Sequence, residues 1–259
     1  MQDRPNEEIA SILAALERFE GTYPRDVLDA ALAHRKEITP HLIAILEQMR
    51  DDPYEHAEDP EYMAHIYALE LLAHFQERRT HEVIVELFSL PDDLSHEFFG
   101  DITTEDLPAI LLATCGGSIE QIVALLRNPV ADEFCRSAAA RALTYAVAEG
   151  VVPRGEVVAL FGSLFTGTEA DPESDFWSLV ANAVCDLYPE ELIDVIREAY
   201  DRDLISKQII GYDSFERALR IGSKAAAYQE IRQERKRYMP RDFHDRMSWW
   251  ANFGEGKDA

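Results

Sequence analysis

Five times along the chain, apolar residues recur at positions i, i+1, i+3 and i+4: Leu42-Ile43-Ala44-Ile45-Leu46, Ile84-Val85-Glu86-Leu87-Phe88, Ile122-Val123-Ala124-Leu125-Leu126, Val157-Val158-Ala159-Leu160-Phe161 and Leu192-Ile193-Asp194-Val195-Ile196. That spacing draws an apolar stripe on one side of a helix. Successive copies start 42, 38, 35 and 35 residues apart, the period of helical-hairpin repeats whose stripes are buried only by stacking. The pattern predicts an all-α fold, a right-handed α-solenoid of about five hairpins.

The flanking residues supply the partner helices. Ile9, Ile12, Leu13 and Leu16 make a first amphipathic helix over 6–19, stopped at Gly21. Val27, Leu28, Ala31 and Leu32 follow Pro24, and Thr39-Pro40 is the expected N-cap and first position of the first signature helix. Tyr62, Ile66, Leu69 and Ala73 fall in helical register, and Thr80 is the expected cap of the second signature. Ser89 to Thr103 interrupts the repeat as a long loop anchored by Leu94, Phe98 and Phe99. Thr104 then opens a helix that Gly116-Gly117 ends, and Ser118 caps the third signature. The alanine-rich run 134–143 pairs with the fourth signature, and Phe176 to Leu187 with the fifth. After Tyr200 the period is lost, which divides the chain into a repeat array over 1–200 and a C-terminal helical cap over 201–259. The cap has helical patterns near 213–221 and 224–237 and ends in Met247-Ser248-Trp249-Trp250. Because an open array needs its last apolar face covered, Phe243, Met247, Trp249 and Trp250 are expected to pack back on the fifth hairpin.

Charge narrows the partners. The 259 residues include 49 acidic and 25 basic side chains, a formal charge of −24, and such a field repels nucleic acid and anionic membrane surfaces. No run approaches the roughly 18 apolar residues of a membrane span. The opening Met-Gln-Asp-Arg-Pro-Asn-Glu-Glu lacks a basic start and apolar middle, so a cytoplasmic location is expected. Cys115, Cys135 and Cys185 are odd in number and sit within helical patterns, as small buried residues rather than a disulfide framework. No Walker loop, dinucleotide-binding glycine pattern, zinc-finger spacing or nucleophile elbow appears, and no cofactor is expected.

Arg136-Ser-Ala-Ala-Ala-Arg-Ala-Leu143 resembles the first helix of HEAT-type repeats. The chain as a whole resembles a bacterial family known as domain of unknown function 1186, through Phe99-Gly-Asp-Ile-Thr-Thr-Glu-Asp-Leu-Pro108, Cys115-Gly-Gly117 and Met247-Ser-Trp-Trp250. The resemblance implies a helical repeat fold and brings no activity. Many members of that family carry a cysteine-rich zinc-binding appendix; here no cysteine follows Cys185.

Seven of the eight histidines precede residue 97, and His81-Glu82 and His96-Glu97 place two metal-ligand types side by side. Metal oxygenases with HEAT-like repeats, of the deoxyhypusine hydroxylase type, place His-Glu pairs at repeated helix starts. A metal-dependent hydrolase or oxygenase using His81, Glu82, His96, Glu97 and Asp101 is therefore the alternative function. Asp92, Asp93, His96, Glu97 and Asp101 also concentrate carboxylates and an imidazole in one segment, a candidate binding site. Glu82, Glu120, Glu156 and Glu190 recur at the starts of signature helices. The helix dipole suffices to place them, and Glu82 and Glu120 can also contribute to an acidic binding surface. Cys115 before Gly116-Gly117 is a helix end rather than a nucleophile. The basic run Arg232, Arg235, Lys236, Arg237 and Arg241 is expected to pair with the acidic array. The leading expectation is a non-enzymatic protein-interaction scaffold with a protein partner, its oligomeric state open.

Overall fold

The computed structural model describes residues 7–18, 20–54, 61–91 and 94–248, apart from the Ile221 side chain. The described residues are predominantly helical, and their only extended pairing is an isolated antiparallel bridge between Arg18 and Tyr62. The first half contains α1 (Glu7–Leu16), α2 (Arg25–Ala33), α3 (Arg35–Asp51), α4 (Ala64–His74), α5 (His81–Leu87), α6 (Leu94–Phe99), α7 (Ile102–Glu105) and α8 (Leu107–Thr114). The second half contains α9 (Glu120–Arg127), α10 (Glu133–Ala148), α11 (Arg154–Gly162), α12 (Phe176–Asp186), α13 (Ile193–Asp201), α14 (Tyr212–Ile221), α15 (Lys224–Tyr238) and α16 (Phe243–Met247).

Each signature falls on a helix or its immediate end, Phe88 capping α5 and Leu192 closing a 3-10 turn before α13. The first and fifth positions of every copy are buried: Leu42 and Leu46, Ile84 and Phe88, Ile122 and Leu126, Val157 and Phe161, Leu192 and Ile196. The second position is only partly buried in four of the five copies, because it lies about 100° around the helix from the first. The stripe is thus narrower than the four-residue pattern suggests. Helices α4, α8, α10 and α12 pack side by side in chain order, and α3 packs on α5, which packs on α9. The alanines of α10 at 138, 139, 140, 142 and 146 are buried, and their small size lets α8, α9 and α12 close in. Arg136 joins three neighbours: its guanidinium lies 3.7 Å over the Phe176 ring and donates to the carbonyls of Leu126 and Glu169.

Four local expectations are corrected. Pro40 lies inside α3, which begins five residues earlier at Arg35. The extra turn is retained because Ile38 is fully buried, Thr39 bonds the Arg35 carbonyl, and the Arg35 guanidinium reaches the Phe75 carbonyl and ring. Those contacts outweigh the hydrogen bond that Pro40 cannot donate. Thr80 does not cap α5; its hydroxyl bonds the Glu77 carbonyl within a 3-10 turn, and the Glu77 carboxylate accepts from the Arg79 amide. The segment 89–103 is not a long loop, because α6 and the first half of α7 form within it once Leu94, Phe98, Phe99 and Ile102 are buried. The tail also departs from expectation. Helix α14 packs against α12, and α15 crosses α10, reaching the turn before α13 through Lys224, which pairs with Glu190 and Glu191. Helix α16 sets Phe243 on the His74 ring and His244 on Tyr23, near the other end of the chain. Buried Phe243 and Met247 therefore do not cover the last hairpin. Trp249 and Trp250 lie outside the described residues.

Candidate functional site

Helix α15 does not seal the surface it crosses. Between it and the α10/α12 pair remains a cleft of about 750 Å³, walled by Ser137 and Arg141 of α10, Asn182 and Asp186 of α12, and Gln233 and Arg237 of α15. Phe134, 45% exposed, is part of its lining. Arg141 pairs with Glu234, which also accepts from the Tyr145 hydroxyl at 3.1 Å. Asp186 is open to the cleft but hemmed in by protein on its other sides. That enclosure pushes its carboxyl up to about 6, against the pull of Arg141 and with the charge of Glu230 adding to the rise. The cleft thus offers charges of both signs beside an aromatic edge, a lining suited to polar recognition.

A second cluster fixes the far end of the tail. Glu70 is 2% exposed on α4, a helix buried on every side from Ala64 to Ala73. The Arg246 guanidinium pairs with it and, at 3.3 Å, with buried Asp106 at the N-terminus of α8. Two residues earlier on α16, His244 uses both ring nitrogens, Nδ1 2.6 Å from the Tyr23 hydroxyl and Nε2 3.0 Å from the Asp29 carboxylate. With both nitrogens engaged, the imidazole is a tie between α16 and the region of α2 rather than a free base.

Two carboxylates share one guanidinium out of water, so the cluster favours an added proton. Burial pushes Glu70 up to about 8, the charge of Asp106 adds to this, and Arg246 opposes it; burial raises Asp106 as well. In the unfolded chain Glu70 returns to about 4.3. Because the folded-state value lies above the unfolded one, the contribution is full below about 4.3 and is lost progressively as pH rises from there through the folded value. Denaturant midpoints taken from pH 5 to pH 9 are expected to decline, with a shallower decline for Glu70→Gln; equal slopes in the two proteins would refute the assignment.

The residues singled out in sequence divide between core and surface. His81 is buried, with Nδ1 2.9 Å from the Thr114 hydroxyl, and burial pushes its imidazole down to about 4. Glu82 is exposed beside it. His96 and Glu97 are exposed on α6, Asp101 is exposed at the start of α7, and Glu120 is exposed in the first turn of α9. Among the described residues no three His, Cys, Asp or Glu side chains come together in a metal-holding group. Asp92 and Asp93 lie outside the described residues. Cys115 and Cys135 are buried, and burial pushes the Cys135 thiol, which donates to Ser95, up to about 12. No helix of the described residues is long and apolar enough to cross a membrane.

Sequence reasoning missed the cleft and the Glu70 cluster. The signal for the second was present: Glu70 is the sole acid in an otherwise apolar stretch, Ile66 to Ala73. A carboxylate there demands a buried cation.

A family model described as protein of unknown function (DUF1186) matches residues 7–254. A protein of Chlamydia muridarum, carrying the name uncharacterized protein, is 33% identical over 224 residues, covering 86% of this chain and 90% of its own. A protein of the same name from Chlamydia trachomatis is 32% identical over 224 residues, covering 86% and 89%. No solved structure matches.

Proposed function

The chain belongs to this bacterial family of proteins of unknown function, DUF1186, and on that premise we propose that it is a non-enzymatic scaffold that binds another protein. The observation that carries this reading is the open cleft between α10, α12 and α15 with exposed Phe134 in its lining. Exposed aromatics next to a mixed-charge cleft are the kind of anchor on which protein interfaces concentrate their affinity.

We read the helices as HEAT-like hairpins in a right-handed solenoid. Helices α2, α4, α8, α10 and α12 are the first members, and α3, α5, α9, α11 and α13 the second. The array occupies 1–200, and 201–259 closes it. Side-by-side packing of α4, α8, α10 and α12 supports this. The protein works in the cytoplasm, and its charge of −24 turns it away from nucleic acid and membrane surfaces. Glu82 and Glu120, exposed at the starts of α5 and α9, together with His96, Glu97 and Asp101, belong to an outer acidic surface that the same partner can touch.

The test is affinity capture from native extract with wild type and with Phe134→Ser. The exposed ring leaves stability within about 0.5 kcal/mol, while recovery of the specific partner is expected to drop roughly tenfold, as for a modest hot spot. Equal recovery by both proteins, or no specific protein with either, would remove the cleft from the reading.

A further inference from the structure

We infer that α15 is an intramolecular stand-in: it occupies the face on α10 and α12 that a basic amphipathic helix of the partner takes, and it must lift before that partner binds. The inference rests on the scaffold reading above and names the chemistry of its partner. Tyr228, Ile231, Arg235 and Tyr238 recur at the spacing of one helical face, yet of the fifteen residues of α15 only Ile231 is buried. The helix is otherwise held by half-exposed contacts: Glu234 on Arg141, Arg235 on Glu149 at 3.2 Å and Lys224 on Glu190 and Glu191, pairs that remain partly open to solvent and are correspondingly weak, together with the partly buried rings of Tyr228 and Tyr238, the latter beneath Arg141. A helix with one fully buried side chain and otherwise half-exposed contacts is displaceable, whereas the Arg246 cluster anchors the tail beyond it.

Two features define what replaces it. The stand-in leaves the cleft of about 750 Å³ unfilled along α10 and α12, so a helix with a bulkier side chain at the Gln233 position, such as an aromatic ring, gains contacts that α15 does not make. Helix α15 also carries five basic side chains against two acidic ones, in a chain whose formal charge is −24, so the seat it occupies accepts a cationic helix. Asp186, on the cleft wall, has no ion-pair partner within 4 Å among the described residues and is the acceptor such a helix reaches first.

The probe is a labelled peptide of sequence 224–238, titrated into the full-length protein. In wild type the tethered α15 competes at a local concentration on the order of millimolar, so the peptide is largely excluded. In the Ile231→Ser/Arg235→Glu variant the seat opens, and the peptide is expected to bind at least roughly tenfold more tightly than to wild type. Adding Glu149→Arg is expected to reverse that gain. Melting curves establish that the array is intact, and Arg235→Glu alone serves if the double change disturbs folding. Equal affinity for wild type and variant, or no binding to a folded variant, overturns the inference. If the peptide binds only the variant but extract yields no partner to either protein, the stand-in assignment holds and the scaffold reading fails. If both proteins capture one partner equally, the scaffold reading holds and the stand-in fails.

Discussion

Arg246→Met is expected to cost about 3 kcal/mol at neutral pH, because it leaves Glu70 and Asp106 buried without their cation. The loss is capped by the free energy with which the tail docks, since beyond that point α16 detaches and water reaches the carboxylates. Part of the cost is also relieved by protonation of Glu70, whose ionisation burial already opposes. Replacing the pair together, Glu70→Met with Arg246→Met, is expected to recover most of the loss, because an apolar pair of similar size needs no desolvation of charge. Guanidinium chloride melts of the two single and the double variant form the required cycle. A single-variant loss below about 0.5 kcal/mol would show that the cluster is already hydrated and holds nothing.

Leu125→Ala is expected to cost about 2 to 4 kcal/mol. Leu125 is fully buried at the fourth position of the third signature, on α9, which packs between α5 and α10. Its side chain cannot be replaced by collapse of one neighbour, since two helices face it. Val130→Ala, three residues beyond Arg127 and exposed, serves as the control at under about 0.5 kcal/mol. Thermal or urea melts separate the two; equal small effects would mean that the repeated stripe is not where the core lies.

What was legible in the sequence is what local physics writes there. Apolar residues repeating every three or four positions set the helices, and the recurrence of Leu42, Ile84, Ile122, Val157 and Leu192 at hairpin intervals located each buried stripe within a residue. Helix ends were less legible where tertiary burial overrode the local signal, as at Pro40 and in the segment containing α6. The candidate site was hardly legible at all. The cleft wall joins residues of α10, α12 and α15 whose proximity depends on where α15 lands, and Arg246 meets Glu70 across 176 positions. Pairings so distant leave no periodicity. The histidine and glutamate pairs were conspicuous because neighbours in sequence are easy to see. On a helix surface, however, adjacent residues point about 100° apart, so His81 turns inward and Glu82 outward.

The seating of His244 on Tyr23 joins positions 221 residues apart. An array whose helices touch only their neighbours has low contact order: it folds quickly from local contacts and can fray from either end. Joining the ends adds one contact that spans most of the chain, and closing it becomes the slow, late event of folding, although the entropy of closure grows only with the logarithm of the span. The return is cooperativity. Fraying of α2 must break the tie to α16, so opening at this end of the chain is coupled to release of the tail, and a protease that cuts between α14 and α15 loosens the opposite end of the molecule.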